Sequence, residues 1–129
     1  MEPARCCILA GWIAIVGGIA SGLWLGLFFH RDDWLGGYAS WRRRMFRLGH
    51  IAFFGLGFVN LLFGLSIRAY PIQHLHASVA AFAFVTGAAT MSPTCFLAGW
   101  RTPFRHLFAA PVAAVLVGVA TLLIGWWST

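Results

Sequence analysis

Lysine is missing from this chain altogether and acids nearly so, Glu2, Asp32 and Asp33 being the only carboxylates. All three lie at a terminus or in a connection, so no buried acid is left to relay protons or to serve in a catalytic acid and base pair. A Gly-rich phosphate loop with its lysine is absent, as is a serine or cysteine at a nucleophile turn. Hydrolases and ATP-driven pumps are therefore set aside. Cysteine is sparse as well. Cys6, Cys7 and Cys95 form an odd set without the spacing of a disulfide framework, and small buried apolar residues are expected there. A soft metal at the adjacent Cys6 and Cys7 is the alternative.

Charge of either sign is scarce, at 9% of the chain, against about 25% in soluble domains. With 60% hydrophobic residues and a mean hydropathy of +0.82, a water-soluble globule is excluded. What is present is apolar and helical: one all-α integral membrane domain over the whole chain. Four stretches approach or exceed the roughly 20 residues that span a hydrocarbon core. They predict a four-helix up-and-down transmembrane bundle with helices over residues 6–30, 41–68, 71–98 and 103–127.

The first run continues past the weak cleavage-like triplet Ile19-Ala20-Ser21 through Leu23, Trp24, Leu25, Leu27 and Phe28, which predicts an uncleaved helix. Gly18, Gly22 and Gly26 fall every fourth residue and predict a helix-packing seam. Gly36-Gly37 breaks the chain, and Ser40 is placed to cap the second helix. Trp34, Tyr38 and Trp41 belong at an interface, as do Trp126 and Trp127 at the far end. Asn60 is the one strongly polar residue deep in the second helix, expected to bond to Thr121 or to a backbone carbonyl of a neighbour. Pro71 is expected to open the third helix. Pro93 and Pro111 are expected to bend the third and fourth. Thr102-Pro103 reads as an N-cap and first turn.

All nine basic residues are arginines, and most flank apolar runs, which is a topology signal and argues against nucleic acid as a partner. Arg31, Arg42, Arg43, Arg44, Arg47, Arg101 and Arg105 fall in one set of connections, Arg5 and Arg68 in the other. The bias predicts both termini on the non-cytoplasmic side, in a bacterial inner membrane, with lipids and other membrane subunits or a second copy as partners.

That topology brings His30, His50, Met91, Cys95 and His106 to one membrane level. Helix bundles build cofactor sites from facing helices at matched depth. A b-type haem takes histidines from two helices and arginines for its propionates. Arg47 precedes His50 by one turn and Arg105 adjoins His106, so His50 with His106 is the preferred ligand pair, with His30 and Met91 as alternates. The layout is similar in kind to small membrane cytochromes b and haem-carrying anchor subunits of respiratory enzymes, by architecture and not by a motif. The competing reading leaves these histidines structural or lipid-contacting. A copper or zinc site at His74 and His76 is disfavoured, because residues two apart point to opposite sides of a helix.

Three functions stay open. The first is a non-catalytic subunit of a larger electron-transfer assembly. The second is a cofactor-free assembly or lipid-binding factor acting through the arginine cluster. The third is an oligomeric channel or transporter lined by Asn60, Thr86, Thr90 and Thr121.

Overall fold

The computed structural model describes residues 2–128. It runs α1 (Pro3–Phe28), a 3₁₀ turn (Trp34–Gly36), α2 (Trp41–Ala69), α3 (His74–Trp100), a 3₁₀ segment (Thr102–Phe108) and α4 (Ala109–Trp127), with no strand among the described residues. Four helices, the last counted from Thr102, are long and apolar enough to cross a membrane. Consecutive helices are antiparallel, so Pro3 of α1 and Trp127 of α4 lie at the same end of the bundle.

The buried residues of α1 are Ala4, Cys7, Gly11, Ala14, Gly18 and Leu25. They recur at steps of three, four, three and four and then of seven, the spacing by which two helices keep one stripe in contact along their length. The stripe meets Gly57 and Gly64 of α2. A side chain begun at Gly11 would stand 2.8 Å from the carbonyl oxygen of Gly57, and one at Gly64 would stand 2.7 Å from that of Ala4. Backbone therefore lies against backbone. The centre of the molecule is Phe63 of α2 on Phe84 of α3, ring centroids 5.0 Å apart, with Cys7, Ala80 and Ala81 around them.

Helices α1, α2 and α3 pack on one another, whereas α4 has α3 as its one substantial neighbour. Half of the most apolar stretch of α3 is buried, against 11% of that of α4. The small residues of α3 explain the difference, since Ala77, Ala80, Ala81, Ala83, Gly87 and Ala88 let helices close in from several sides.

The structure differs from the sequence expectation at three prolines. Helix α3 begins at His74 rather than Pro71, with Gln73 at its N-cap position making no side-chain bond. Residues 102–108 wind as 3₁₀, so Thr102 caps nothing and the α-helix starts only at Ala109. Pro111 then falls in the first turn of α4, where its missing N–H removes no helical bond and it opens the helix instead of bending it. Pro93 lies inside a continuous α3.

Candidate functional site

The last turn of any helix leaves carbonyls without partners and a partial negative charge. In this fold the C-terminal ends of α1 and α3 flank the start of α2, which is where the arginines are. Ser40 caps α2, its hydroxyl accepting from the Arg43 amide at 3.1 Å and donating to the Leu35 carbonyl at 2.8 Å. Trp41 donates from Nε1 to the Ala98 carbonyl at 2.9 Å, and Arg42 from Nε to the Gly99 carbonyl at 3.2 Å. Both close the end of α3.

Arg43 turns to the other side. Its Nη1 donates to the carbonyls of Arg31 at 3.3 Å and Asp32 at 3.5 Å, and its Nη2 to that of Phe29 at 3.3 Å. The side chain is 4% exposed. Its guanidinium carbon lies 5.4 Å from the Phe29 ring centroid, 5.8 Å from Trp34 and 5.6 Å from Tyr38. Those distances are within reach of attraction between a cation and an aromatic face. Arg47, one turn on, stands 4.3 Å over Tyr38. Phe29, Asp32, Tyr38, Arg43 and Arg47 line a cleft of about 330 Å³. Successive residues on a helix are turned about 100° from one another, so Arg42 serves α3, Arg43 serves α1, and Arg44 is left exposed.

His50 sits one turn below Arg47. Its Nδ1 is 3.1 Å from the Ser21 hydroxyl, and that hydroxyl also donates to the Gly18 carbonyl at 3.0 Å. The imidazole covers Gly22 and meets the Phe54 ring edge-on at 5.3 Å. Of the expected glycine seam, Gly18 is covered by Phe54 and Gly22 by His50, while Gly26 faces open space. The seam is completed toward the chain's start by Gly11, which spacing from Gly18 alone did not bring out.

The remaining site residues do not gather around His50. Met91 lines an apolar groove of about 340 Å³ with Leu48, Ile51, Ala52, Gly55, Leu56 and Phe108. His50 is two residues from Leu48, about 200° around α2 from that groove. His106 and Arg105 are exposed on the 3₁₀ segment that ends in Phe108. His30 is exposed beyond the end of α1. No group of three or more His, Cys, Asp or Glu side chains suited to a metal occurs among the described residues.

Asn60 is fully buried, and its Nδ2 donates to the carbonyls of Leu56 at 2.9 Å and, across to α3, of Phe84 at 3.2 Å. Of the two bonds expected, the backbone one forms and Thr121 is not its partner. Thr90 donates to the carbonyl of Thr86 in its own helix at 2.7 Å. Sequence reasoning missed the separate duties of Arg42 and Arg43. The available signal was that three consecutive arginines on one helix cannot share a face.

No protein-family model, no curated protein and no solved structure matches this chain.

Proposed function

We propose that this chain is a subunit of a larger assembly in a bacterial inner membrane, with both termini outside and without catalytic chemistry of its own. The observation that carries the proposal is the position of α4, which rests on α3 and leaves most of its apolar surface uncovered. The other three helices form a core closed at one end by Trp41, Arg42 and Arg43. Such a molecule offers a rigid three-helix body and one outlying helix, an arrangement suited to docking a partner's transmembrane helices. The sidedness rests on the arginine bias, since the start of α1 and the end of α4 lie at the end opposite the Arg42 to Arg47 cluster.

Photo-crosslinkers placed at Leu116 and Leu123, both outward on α4, test this in intact membranes. The expected result is an adduct with one defined membrane protein, and adducts with lipid alone would overturn it. Adducts with a second copy alone would replace it with a homo-oligomer.

Electron transfer through a b-type haem is the more specific form of the proposal. His50 is its ligand on α2, half-buried one turn from Arg47. His50 is engaged by Ser21 and Gly22 of α1 and by Phe54 of α2, so the second ligand on this reading comes from the partner. An oxidised-minus-reduced absorption spectrum of the purified assembly tests it. A haem signal lost in His50→Ala, with subunit composition unchanged, is expected. A colourless assembly with every subunit present would remove the haem and leave the docking role standing.

A further inference from the structure

The groove between α2 and α3 is apolar along its length, walled by Leu48, Ile51, Ala52, Gly55 and Leu56 on one side and Met91 on the other, with Phe108 across it. Gly55 opens it further, since a side chain begun there would meet nothing within 4 Å. Two unpaired charges share helix faces with its lining residues. Arg44, Leu48, Ile51 and Gly55 are spaced at four, three and four residues, so they form one stripe along α2 with the arginine at its head. Residues three apart on a 3₁₀ helix are eclipsed, which sets Arg105 on the same side of its segment as Phe108. Arg44 and Arg105 are both exposed, and neither side chain has a hydrogen-bond or ion-pair partner among the described residues.

From Arg44 to Gly55 is about 16 Å at 1.5 Å per residue. That is close to half of a hydrocarbon core of about 30 Å. The groove therefore runs from headgroup level to the middle of the bilayer, along one leaflet. From this we infer that it is a binding site for an anionic phospholipid of the arginine-rich leaflet, one acyl chain lying in the groove and the phosphate held between Arg44 and Arg105. Charge at the head of the stripe and apolar walls below match the two parts of such a molecule in order and in length. A partner helix would match the walls but leave both arginines unpaired.

The inference rests on membrane residence as proposed above and is independent of any partner subunit. Residence is checked first, by retention of the protein in vesicles through an alkaline carbonate wash. Protein reconstituted in equimolar phosphatidylglycerol and phosphatidylcholine is then extracted mildly, and the retained lipid is counted by native mass spectrometry. Phosphatidylglycerol is expected to be enriched. Arg44→Gln with Arg105→Gln should lower the enrichment by about fivefold for each arginine, whereas Arg68→Gln, at the opposite end, should leave it unchanged. Gly55→Leu should fill the groove and lower the retained lipid of both kinds with the arginines intact.

Equal retention of the two lipids by the unaltered protein would overturn the inference, as would enrichment indifferent to the arginine pair. So would binding of inorganic phosphate that displaces no lipid, because the arginines would then form an anion site without the groove. A crosslinker at Gly55 that captures a protein helix instead of lipid would assign the groove to a partner.

Discussion

The Cε1 atom of His50 lies 2.6 Å from the point where a side chain on Gly22 would begin, so the imidazole fills the space that the glycine leaves. The ring is held there by Ser21 and by the edge of Phe54. Gly22→Ala should therefore push the ring off Ser21 and lower stability by about 1 kcal/mol, within the range for overpacking. In a His50→Ala background the same change should be neutral or stabilising, because alanine is the better helix former by roughly 1 kcal/mol. Thermal unfolding of the two single variants and the double variant in detergent gives the coupling. Additive effects would show that the ring does not occupy this space in solution.

Arg43 and Arg44 are neighbours in sequence with opposite duties. Arg43→Gln keeps a donor but loses the cation and the fork that reaches the carbonyls of Phe29, Arg31 and Asp32. A loss of about 2 kcal/mol is expected from charge-assisted bonds at a buried site. Arg43→Lys should recover little of it, since an ammonium cannot address several carbonyls from one plane. Arg44→Gln should leave stability within about 0.5 kcal/mol of the unaltered protein. Equal losses at the two positions in a denaturation series would remove the capping role.

Ser40 was legible in the sequence because a cap is local: a hydroxyl three residues before the amide it accepts, ahead of an apolar run. The four long apolar helices were legible because hydropathy is summed over about 20 residues and tolerates errors at any one of them. The work of Arg42 and Arg43 was not, since it depends on which helix ends arrive beside α2, and nothing in the local sequence carries that. For His50 and His106 the sequence offered a level along the bundle but no angle. The topology put both at one level, while the direction of each side chain around its helix depends on which neighbours that helix finds. His50 found α1. The same limit governs the glycines. Spacing picked out Gly18, Gly22 and Gly26 equally, yet Gly26 faces open space, and Gly11 opposite Gly57 makes the closer approach.

Two glycines of α2, nine residues apart, should respond to alanine with opposite signs. At Gly64 the new carbon would meet the backbone oxygen of Ala4 and Cγ1 of Ile8, each at 2.7 Å, and backbone cannot move aside as a side-chain tip can. Gly64→Ala should separate α1 from α2 and cost about 1 to 3 kcal/mol. At Gly55 nothing stands in the way. Gly55→Ala should gain up to about 1 kcal/mol from helix propensity alone. Melting temperatures moving in the same direction would place the contact between α1 and α2 elsewhere.

Asn60→Leu separates a structural amide from one that contacts a permeating solute. The amide bonds two carbonyls, but that of Phe84 is also positioned to accept the helical bond from four residues on, so leucine leaves no carbonyl orphaned. What is lost is the tie between α2 and α3, worth about 0.6 to 2 kcal/mol in membranes. Leucine is close in size and should pack beside Phe63 and Phe84 without a cavity. The variant should therefore fold, melt slightly earlier, and keep whatever association and liposome permeability the unaltered protein has. A changed solute flux with the melting temperature unmoved would instead place Asn60 on a path through the membrane, which would require α2 and α3 to part where the structure has them joined.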